Sequence, residues 1–281
     1  MTNDGRTIAS ASFRDLRLWK YPPGSLQSTL SGHTREVEKV LLTHREDLLI
    51  SAGGTRDNNI LVWTLPEQEK KFVLQGHEDG IWDLVISEDD SLLASAGKDE
   101  LIKIWSLADG SQLHSLQEHQ GKVWCLAITS NGKKLVSGSE DKTVKVWSTA
   151  TGELEYDFGD YNQGVICLDI SRDGQLLATG CQDGGVKLWN LNSGELVASL
   201  NEHQQAVTLV KFSANGETLI TASADTTVKL WRWDLSRLAN IPLLTLTNDD
   251  RKWLKQASQD ENITTEEQQW LALIEKLLLL I

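Results

Sequence analysis

Short runs of alternating apolar and polar residues recur along the chain and predict β-strands. Val144–Trp147, Val186–Trp189 and Val228–Trp231 each show the two-residue period of a strand with one buried face. Turns rich in Gly and Asp separate such runs. In one stretch the successive runs are Ile81 to Ile86, Leu92 to Ala96, Leu101 to Trp105 and Gln112 to Leu116. The pattern therefore predicts an all-β chain with four strands in about 40 residues.

The strand pattern repeats with a fixed period. Tryptophan occurs at positions 19, 63, 105, 147, 189 and 231, a spacing of 44 residues once and then 42 residues four times. An aspartate stands six residues before each of the last five tryptophans. Histidines keep the same register, except that Tyr161 occupies one of their places. A period of about 40 to 45 residues is typical of a four-stranded propeller blade.

Several residues at the repeat boundaries resemble the WD-repeat family. They are Gly32-His33, Gly76-His77, Glu118-His119 and Glu202-His203 at repeat starts, with tryptophan at repeat ends. The literal Trp-Asp pair is missing at every repeat end. The resemblance covers roughly residues 5 to 247 and implies a β-propeller of about six blades. The array is also similar to the C-terminal WD-repeat arrays of bacterial multidomain signalling ATPases.

The repeat register predicts a propeller over residues 1–247 and a short helical tail over residues 248–281. Gly5–Ser10 matches the second strand of a blade, so the first blade lacks its innermost strand. Ile241–Thr247 is available as the last outer strand. We hypothesise that the chain is the C-terminal part of a longer or split array. An open blade edge would then invite self-association.

Composition and period both change after Thr247. Asn248–Leu254 predicts a short helix, and Thr265 and Gln268 carry capping signals for a second. An apolar stripe follows at Trp270, Leu273, Ile274, Leu277 and Ile281. A stripe this broad must be buried, either on the propeller flank or in another molecule through a helix over residues 266–281.

Each complete repeat carries a His, a Ser or Thr, an Asp and a Trp. In the resembling family these residues form a buried hydrogen-bonded chain that ties the inner strand to a turn. The predicted sets are His33, Ser51, Asp57 and Trp63; His77, Ser95, Asp99 and Trp105; His119, Ser137, Asp141 and Trp147; His203, Thr221, Asp225 and Trp231; and, beside Tyr161, Thr179, Asp183 and Trp189. A hydrolase is the alternative, but catalysis needs one exposed site with an oxyanion hole, and this set recurs. We therefore assign no catalytic residue.

The resemblance also implies which side chains stand at the mouth of the central channel. Five residues after each histidine position come Glu38, Trp82, Trp124, Ile166 and Thr208. Arg56, Lys98, Glu140, Gln182 and Ala224, each before a turn aspartate, should share that face with Glu36 and Lys122. Two neighbouring tryptophans suggest an anchor for a partner, because aromatic side chains dominate interface energetics; core packing is the alternative. The acidic residues beside them favour a basic, hydrophobic peptide.

Composition mainly excludes other functions. The net charge of -13 and the pI near 4.9 argue against binding to nucleic acid or an anionic membrane. No glycine-rich phosphate loop and no zinc-ligand spacing occurs, so we expect no cofactor and no metal. Three isolated cysteines and an N-terminus without a signal segment predict a cytoplasmic protein. The most apolar stretch, Trp270–Ile281, is shorter than the roughly 20 residues that span a bilayer.

These features favour a non-enzymatic scaffold that binds a protein or peptide partner at the propeller mouth. The alternative is a sensor or autoinhibitory module of a bacterial signalling ATPase system. That alternative requires a nucleotide-binding domain supplied by another reading frame.

Overall fold

A computed structural model describes residues 2, 5–65, 67–159, 161–214, 216 and 218–232. These residues form 22 β-strands in six antiparallel sheets, and the described part contains no α-helix. The chain divides into two compact units, Met1–Ile166 and Cys167–Ile281. The predicted strand Ile241–Thr247, the boundary at residue 247 and the helical tail over 248–281 lie outside the described residues. Self-association through the tail or an open edge stays a prediction.

Unit one contains one three-stranded and three four-stranded sheets. Its strands are β1 (Thr7–Ala11), β2 (Asp15–Lys20) and β3 (Ser25–Ser31); β4 (Val37–Leu42), β5 (Leu48–Gly53), β6 (Asn59–Thr64) and β7 (Lys70–Gln75); β8 (Ile81–Ile86), β9 (Leu92–Gly97), β10 (Ile102–Ser106) and β11 (Gln112–Leu116); and β12 (Val123–Ile128), β13 (Lys134–Ser139), β14 (Val144–Ser148) and β15 (Leu154–Phe158). Within each sheet the strands follow chain order, as in a propeller blade. Strands β8 to β11 match the four predicted runs to within one residue.

The remaining strands belong to unit two, except that the first two residues of β16, Val165 and Ile166, belong to unit one. One sheet comprises β16 (Val165–Ile170), β17 (Leu176–Cys181), β18 (Val186–Asn190) and β19 (Leu196–Leu200), and the other comprises β20 (Val207–Phe212), β21 (Thr218–Ser223) and β22 (Val228–Arg232). The prediction of an all-β chain built from blade-like sheets is confirmed. Closure of six blades into a ring stays a prediction.

The repeat-end tryptophans fill the space between successive sheets. In unit one, Trp105 on β10 packs against Leu48, Ile50 and Val62 of the preceding sheet. Trp63 and Trp147 occupy the corresponding cores, and in unit two Trp231 packs with Val186, Leu188 and Phe212. Truncating a buried aromatic of this kind typically costs about 3–5 kcal/mol. The tryptophan period is therefore the period of the hydrophobic core.

The recurring aspartates shape the hairpin between the second and third strands. Asp99 accepts the Leu101 amide at 3.2 Å, and Asp141 accepts the Thr143 amide at 2.9 Å. The next residue has a positive φ in both turns, 67° at Glu100 and 69° at Lys142, whereas in the Asp57 turn the positive φ, 71°, is at Arg56. An aspartate side chain that bonds the backbone two residues ahead favours such a turn. This geometry explains why the aspartate stands at a fixed distance from the tryptophan.

A buried carboxylate joins the innermost strands of three neighbouring sheets in unit one. Asp83 on β8 accepts the Leu126 amide of β12 at 2.9 Å and pairs with Lys39 of β4 at 2.6 Å. Asp83 is only 8% exposed. In unit two, Asp169 likewise accepts the Phe212 amide at 2.7 Å and pairs with Lys211 at 2.6 Å. Neither aspartate is among the site residues predicted from the sequence.

We predict that Asp83→Ala lowers the free energy of unfolding by about 1–3 kcal/mol, because it leaves the buried Leu126 amide unpaired. Urea unfolding followed by circular dichroism measures the change. Glu88→Ala, which removes an exposed carboxylate after the same strand, is the control and should stay within about 0.5 kcal/mol of wild type. Equal stability of the two variants would contradict a bridging role for Asp83.

Candidate partner-binding face

Four repeats contain a continuous chain of hydrogen bonds from an indole to a carboxylate. Trp105 Nε1 donates to Ser95 Oγ at 2.9 Å, and His77 lies 2.8 Å from Ser95 through Nε2 and 2.9 Å from Asp99 through Nδ1. The same contacts join Trp63, Ser51, His33 and Asp57; Trp147, Ser137, His119 and Asp141; and Trp231, Thr221, His203 and Asp225. The indole N–H can only donate and an ionised carboxylate can only accept, so the hydroxyl accepts from the indole and Nδ1 of the imidazole donates to the aspartate.

The buried hydroxyls in these sets are unsuited to nucleophilic attack. Ser51, Ser95, Ser137 and Thr221 are each 0% exposed. A nucleophile needs an open position beside oxyanion donors, whereas these hydroxyls are enclosed and already bonded to indole and imidazole. Satisfied buried networks of this kind rigidify a core.

The two remaining repeats vary this arrangement. Tyr161 is buried in unit one. In unit two, Thr179 and Trp189 are buried, the Thr179 hydroxyl donates to the Lys187 carbonyl at 3.2 Å, and Asp183 accepts the Gly185 amide at 3.0 Å. In the first sheet, Trp19 Nε1 donates to Ser10 Oγ at 2.8 Å. Ser10 is not among the network residues predicted from the sequence, although Ser10 pairs with Arg17 across the strands as Ser95 pairs with Lys103.

Burial and hydrogen bonding shift the pKa values of the His33–Asp57 pair. Burial, with a smaller effect of the nearby Lys70 ammonium group, lowers the pKa of His33 from 6.5, and together they outweigh the charge and the hydrogen bond of the Asp57 carboxylate. Burial alone would raise the pKa of Asp57. The amide of Thr34, the imidazole of His33 and the amide of Arg35 outweigh that effect and hold the Asp57 pKa below its usual range. The pair is therefore a neutral imidazole that donates to an ionised carboxylate.

The innermost strands of four sheets carry a β-bulge at the position predicted to face a partner. The pairing register shifts between Val37 and Lys39, Ile81 and Asp83, Val123 and Cys125, and Val207 and Leu209. The extra residues are therefore Glu38, Trp82, Trp124 and Thr208. A bulge leaves one residue out of the pairing and re-aims its side chain. Backbone geometry thus sets these positions apart from the rest of the strand.

The rings of Trp82 and Trp124 form a pair in unit one. Their centroids are 6.2 Å apart, with an angle of 18° between the planes. Both residues are half-buried. A Cβ atom at position 164 would lie 2.8 Å from Trp124 Cζ3, so Gly164 makes room for this ring. Among the described residues, Trp124 Nε1 is buried without a hydrogen-bond partner.

Charged side chains surround the tryptophan pair. Lys122 Nζ lies 6.0 Å from the Trp82 ring centroid and 3.1 Å from Glu140 Oε2. Lys98 pairs with Asp79 at 3.3 Å. Its backbone amide also donates to the Gly80 carbonyl at 2.9 Å, two residues before Trp82.

Two acidic side chains, Glu38 in β4 and Glu36 just before β4, lie against Gly54. A Cβ atom at Gly54 would lie 2.9 Å from Cγ of Glu36 and 2.8 Å from Oε1 of Glu38. A Cβ atom at Gly80 would lie 2.6 Å from the Thr55 amide nitrogen. Gly80, which is two residues before Trp82, therefore lies next to Gly54. Neither carboxylate has a hydrogen bond or ion pair within the described residues. Exposed Arg56, with a φ of 71°, follows Thr55.

These contacts define what we call the tryptophan face of unit one. It consists of Glu36, Glu38, Arg56, Trp82, Lys98, Lys122, Trp124 and Glu140. Ile166, the last residue of unit one, is half-buried in β16. Thr208 belongs to unit two, where its hydroxyl donates to the Ala222 carbonyl at 3.3 Å. Gln182 and Ala224 also belong to unit two.

The remaining candidates for reactive or metal-binding groups are the cysteines and the acidic side chains. Burial raises the pKa of Cys167 and of Cys181 to about 12, so both thiols stay protonated. The described residues bring together no group of three His, Cys, Asp or Glu side chains that could hold a metal ion. Within that same part of the chain, no helix has the length and apolar character needed to cross a lipid bilayer.

Comparison with known proteins gives two findings. The family model described as "WD domain, G-beta repeat" matches residues 24–64, 68–106, 110–148, 152–190 and 194–232, more than half of the chain. Coronin-7 from Mus musculus is 33% identical over 91 residues, Coronin-7 from Rattus norvegicus 34%, and Coronin-7 from Bos taurus 33%. Each match covers 30% of this chain and 10% of the relative. The chain thus spans about a tenth of the length of these relatives.

We predict a first loss of stability as the pH falls below 6.5 and a second loss below about 4. His33 has a lowered pKa in the folded state, so between that pKa and 6.5 the unfolded chain binds more protons than the folded chain. The free energy of unfolding therefore decreases as the pH is lowered through this range. Asp57, Asp99, Asp141 and Asp225 have lowered pKa values in the folded state, and their contribution is lost as the pH falls through those values.

The measurement is the free energy of unfolding in urea at pH 7.5, 5.5 and 3.5. His33→Gln serves as the matched control, because it removes one imidazole that titrates. The difference between pH 7.5 and 5.5 should shrink in this variant. A stability that stays constant or rises on acidification across both ranges would contradict the protonation states given above.

Proposed function

The chain belongs to the WD domain, G-beta repeat family, and we propose that it is a scaffold whose protein partner binds at the tryptophan face. WD repeats generally mediate protein–protein interactions, and WD-repeat proteins are generally non-catalytic scaffolds. Fold alone cannot name the partner, so the proposal depends on the chemistry of this face.

The observation that carries the proposal is the pair of tryptophans on two neighbouring β-bulges. The rings of Trp82 and Trp124 are 6.2 Å apart and half-buried, while the repeat-end tryptophans such as Trp105 and Trp147 are 2% and 1% exposed. The core is thus filled by a different set of aromatic residues. Tryptophans that keep part of their surface in water on a rigid strand are the usual anchors of an interface.

The surrounding charge favours a basic, hydrophobic peptide as the bound segment. Glu36 and Glu38 have no ion-pair partner within the described residues, whereas Lys98 and Lys122 are each paired with an acidic residue of the chain. A partner with a basic group could approach the two free carboxylates. Its apolar side chains could cover the exposed parts of the indole rings.

A regulatory role in a bacterial signalling ATPase system is the second candidate, with a cytoplasmic location. The regularity of the array favours it: the matched segments begin at residues 24, 68, 110, 152 and 194. Such regularity indicates duplication of one repeat unit, as in the arrays that the sequence resembles. In that system the tryptophan face would bind another domain or subunit, so both candidates use the same surface.

We predict that Trp82→Ala combined with Trp124→Ala weakens partner binding at least about 30-fold, because truncating an interface anchor typically costs 2 kcal/mol or more. Partners captured from native lysate with the full chain are identified by mass spectrometry and then purified. Calorimetric titration measures their affinity for wild type and variant. The combination Phe13→Ala and Tyr21→Ala, which removes two exposed aromatics elsewhere in unit one, is the matched control.

Gly164→Ala provides a second variant that keeps both tryptophans. The added methyl group displaces the Trp124 ring, so affinity should fall while the tryptophan content stays the same. Melting temperature reports whether each variant is folded. If the double variant and Gly164→Ala both fold and both bind the partner with unchanged affinity, the tryptophan face is not the binding site.

A further inference from the structure

Lys122 places a cationic group on the ring that is proposed to anchor the partner. Its Nζ is 6.0 Å from the Trp82 centroid, within the range of a cation–π contact. The same ammonium group pairs with Glu140 at 3.1 Å. The Lys122 and Glu140 side chains are 34% and 44% exposed, so water screens the ion pair and it holds Lys122 weakly.

The geometry around Trp82 suits a cation from this chain, such as Lys122, or a cation from a partner. The face of an indole ring is the most electron-rich surface among the aromatic side chains and attracts ammonium and guanidinium groups. Trp124 stands beside it, with an angle of 18° between the two rings. A planar guanidinium could lie along such a surface, as arginine commonly does on aromatic faces.

The charges of the tryptophan face leave an excess of carboxylate near this ring. Lys98 is neutralised by Asp79, and Lys122 by Glu140. Glu36 and Glu38 then remain, with Arg56 as the one guanidinium among the described residues of the face. Both carboxylates lie against Gly54, which neighbours Gly80, two residues before Trp82. A cation that arrived at Trp82 would therefore find unpaired negative charge in the neighbouring sheet.

We propose that the partner inserts a cationic side chain, a guanidinium or an ammonium group, over the Trp82 ring in the place that Lys122 occupies. Lys122 is then an internal competitor that covers the ring until the partner arrives. Its displacement frees Glu140 to join Glu36 and Glu38 as counter-charge. This inference depends on the proposed function and adds to it the chemical class of the group that is recognised.

The competitor role gives Lys122 an effect opposite to that of a direct contact. If Lys122 competes with the partner's cation, removing its ammonium group strengthens binding. If Lys122 instead recognises an anionic partner, removing it weakens binding. A cation–π contact at an exposed site corresponds to a factor of about two to five in affinity, which sets the expected size of the change.

The test uses the full chain labelled with ¹⁵N and two small probes, acetyl-arginine amide and its neutral isostere acetyl-citrulline amide. The indole N–H signals of Trp82 and Trp124, identified with Trp82→Phe and Trp124→Phe, report binding by NMR. We expect the arginine probe to shift both signals and to bind at least about twofold more tightly than the citrulline probe. Lys122→Ala and Lys122→Gln should each bind it about two- to fivefold more tightly than wild type.

Lys134→Ala is the matched control, because Lys134 also lies over an aromatic ring, 5.3 Å from the Tyr156 centroid, and pairs with Glu155 at 3.0 Å, but it does not belong to the tryptophan face. Its affinity for the arginine probe should stay within about twofold of wild type. Equal binding of the two probes, or unchanged or weaker binding in both Lys122 variants, would overturn the inference. Partner binding that still depended on Trp82 and Trp124 would leave the proposed function standing in that case.

Discussion

The described structure depends on one buried chain of hydrogen bonds that recurs in four repeats. In the third sheet it runs from Trp105 through Ser95 and His77 to Asp99. The tryptophan lies on the third strand, the serine on the second, and the aspartate in the turn between them. The histidine precedes the innermost strand, so three strands and a turn are fixed by one network. None of its polar groups can be removed without leaving a buried partner unpaired.

This network also sets the position of the tryptophan face. His77 stands five residues before Trp82, and His119 stands five residues before Trp124. Asp83 ties the same inner strand to its neighbours on both sides through Lys39 and Leu126. The strand is thus held at its start and after the bulge. The bulge residue between these points is the one that the strand pairing leaves out.

Much of the fold could be predicted from the sequence, because the same residue types pack at the same positions in each repeat. The alternating runs predicted strands β8 to β11 to within one residue, since strand period and turn residues are local signals. The bulges and the contacts of Trp82 and Trp124 could not be predicted from period alone. They depend on which side chains the neighbouring sheet presents, such as Gly164 and Lys122.

Two features that were missed did leave a signal in the sequence. Lys39 and Asp83 occupy one repeat position in successive repeats, and so do Asp169 and Lys211. Opposite charges at one repeat position are expected to meet when the inner strands of neighbouring sheets lie side by side. Ser10 could have been found from the register of Trp19. The helical tail, by contrast, lies beyond the described residues, and its burial stays a prediction.

We propose that a rigid core presents the bulged tryptophans to a protein partner. Hydrogen–deuterium exchange of the full chain, with and without a purified partner, tests this claim most directly. We expect the partner to slow exchange in peptides that contain Gly80–Asp83 and Lys122–Cys125, while exchange in the outer strands β7 and β11 is unchanged. Slower exchange confined to the outer strands or to residues 248–281, with none around Trp82 and Trp124, would contradict it.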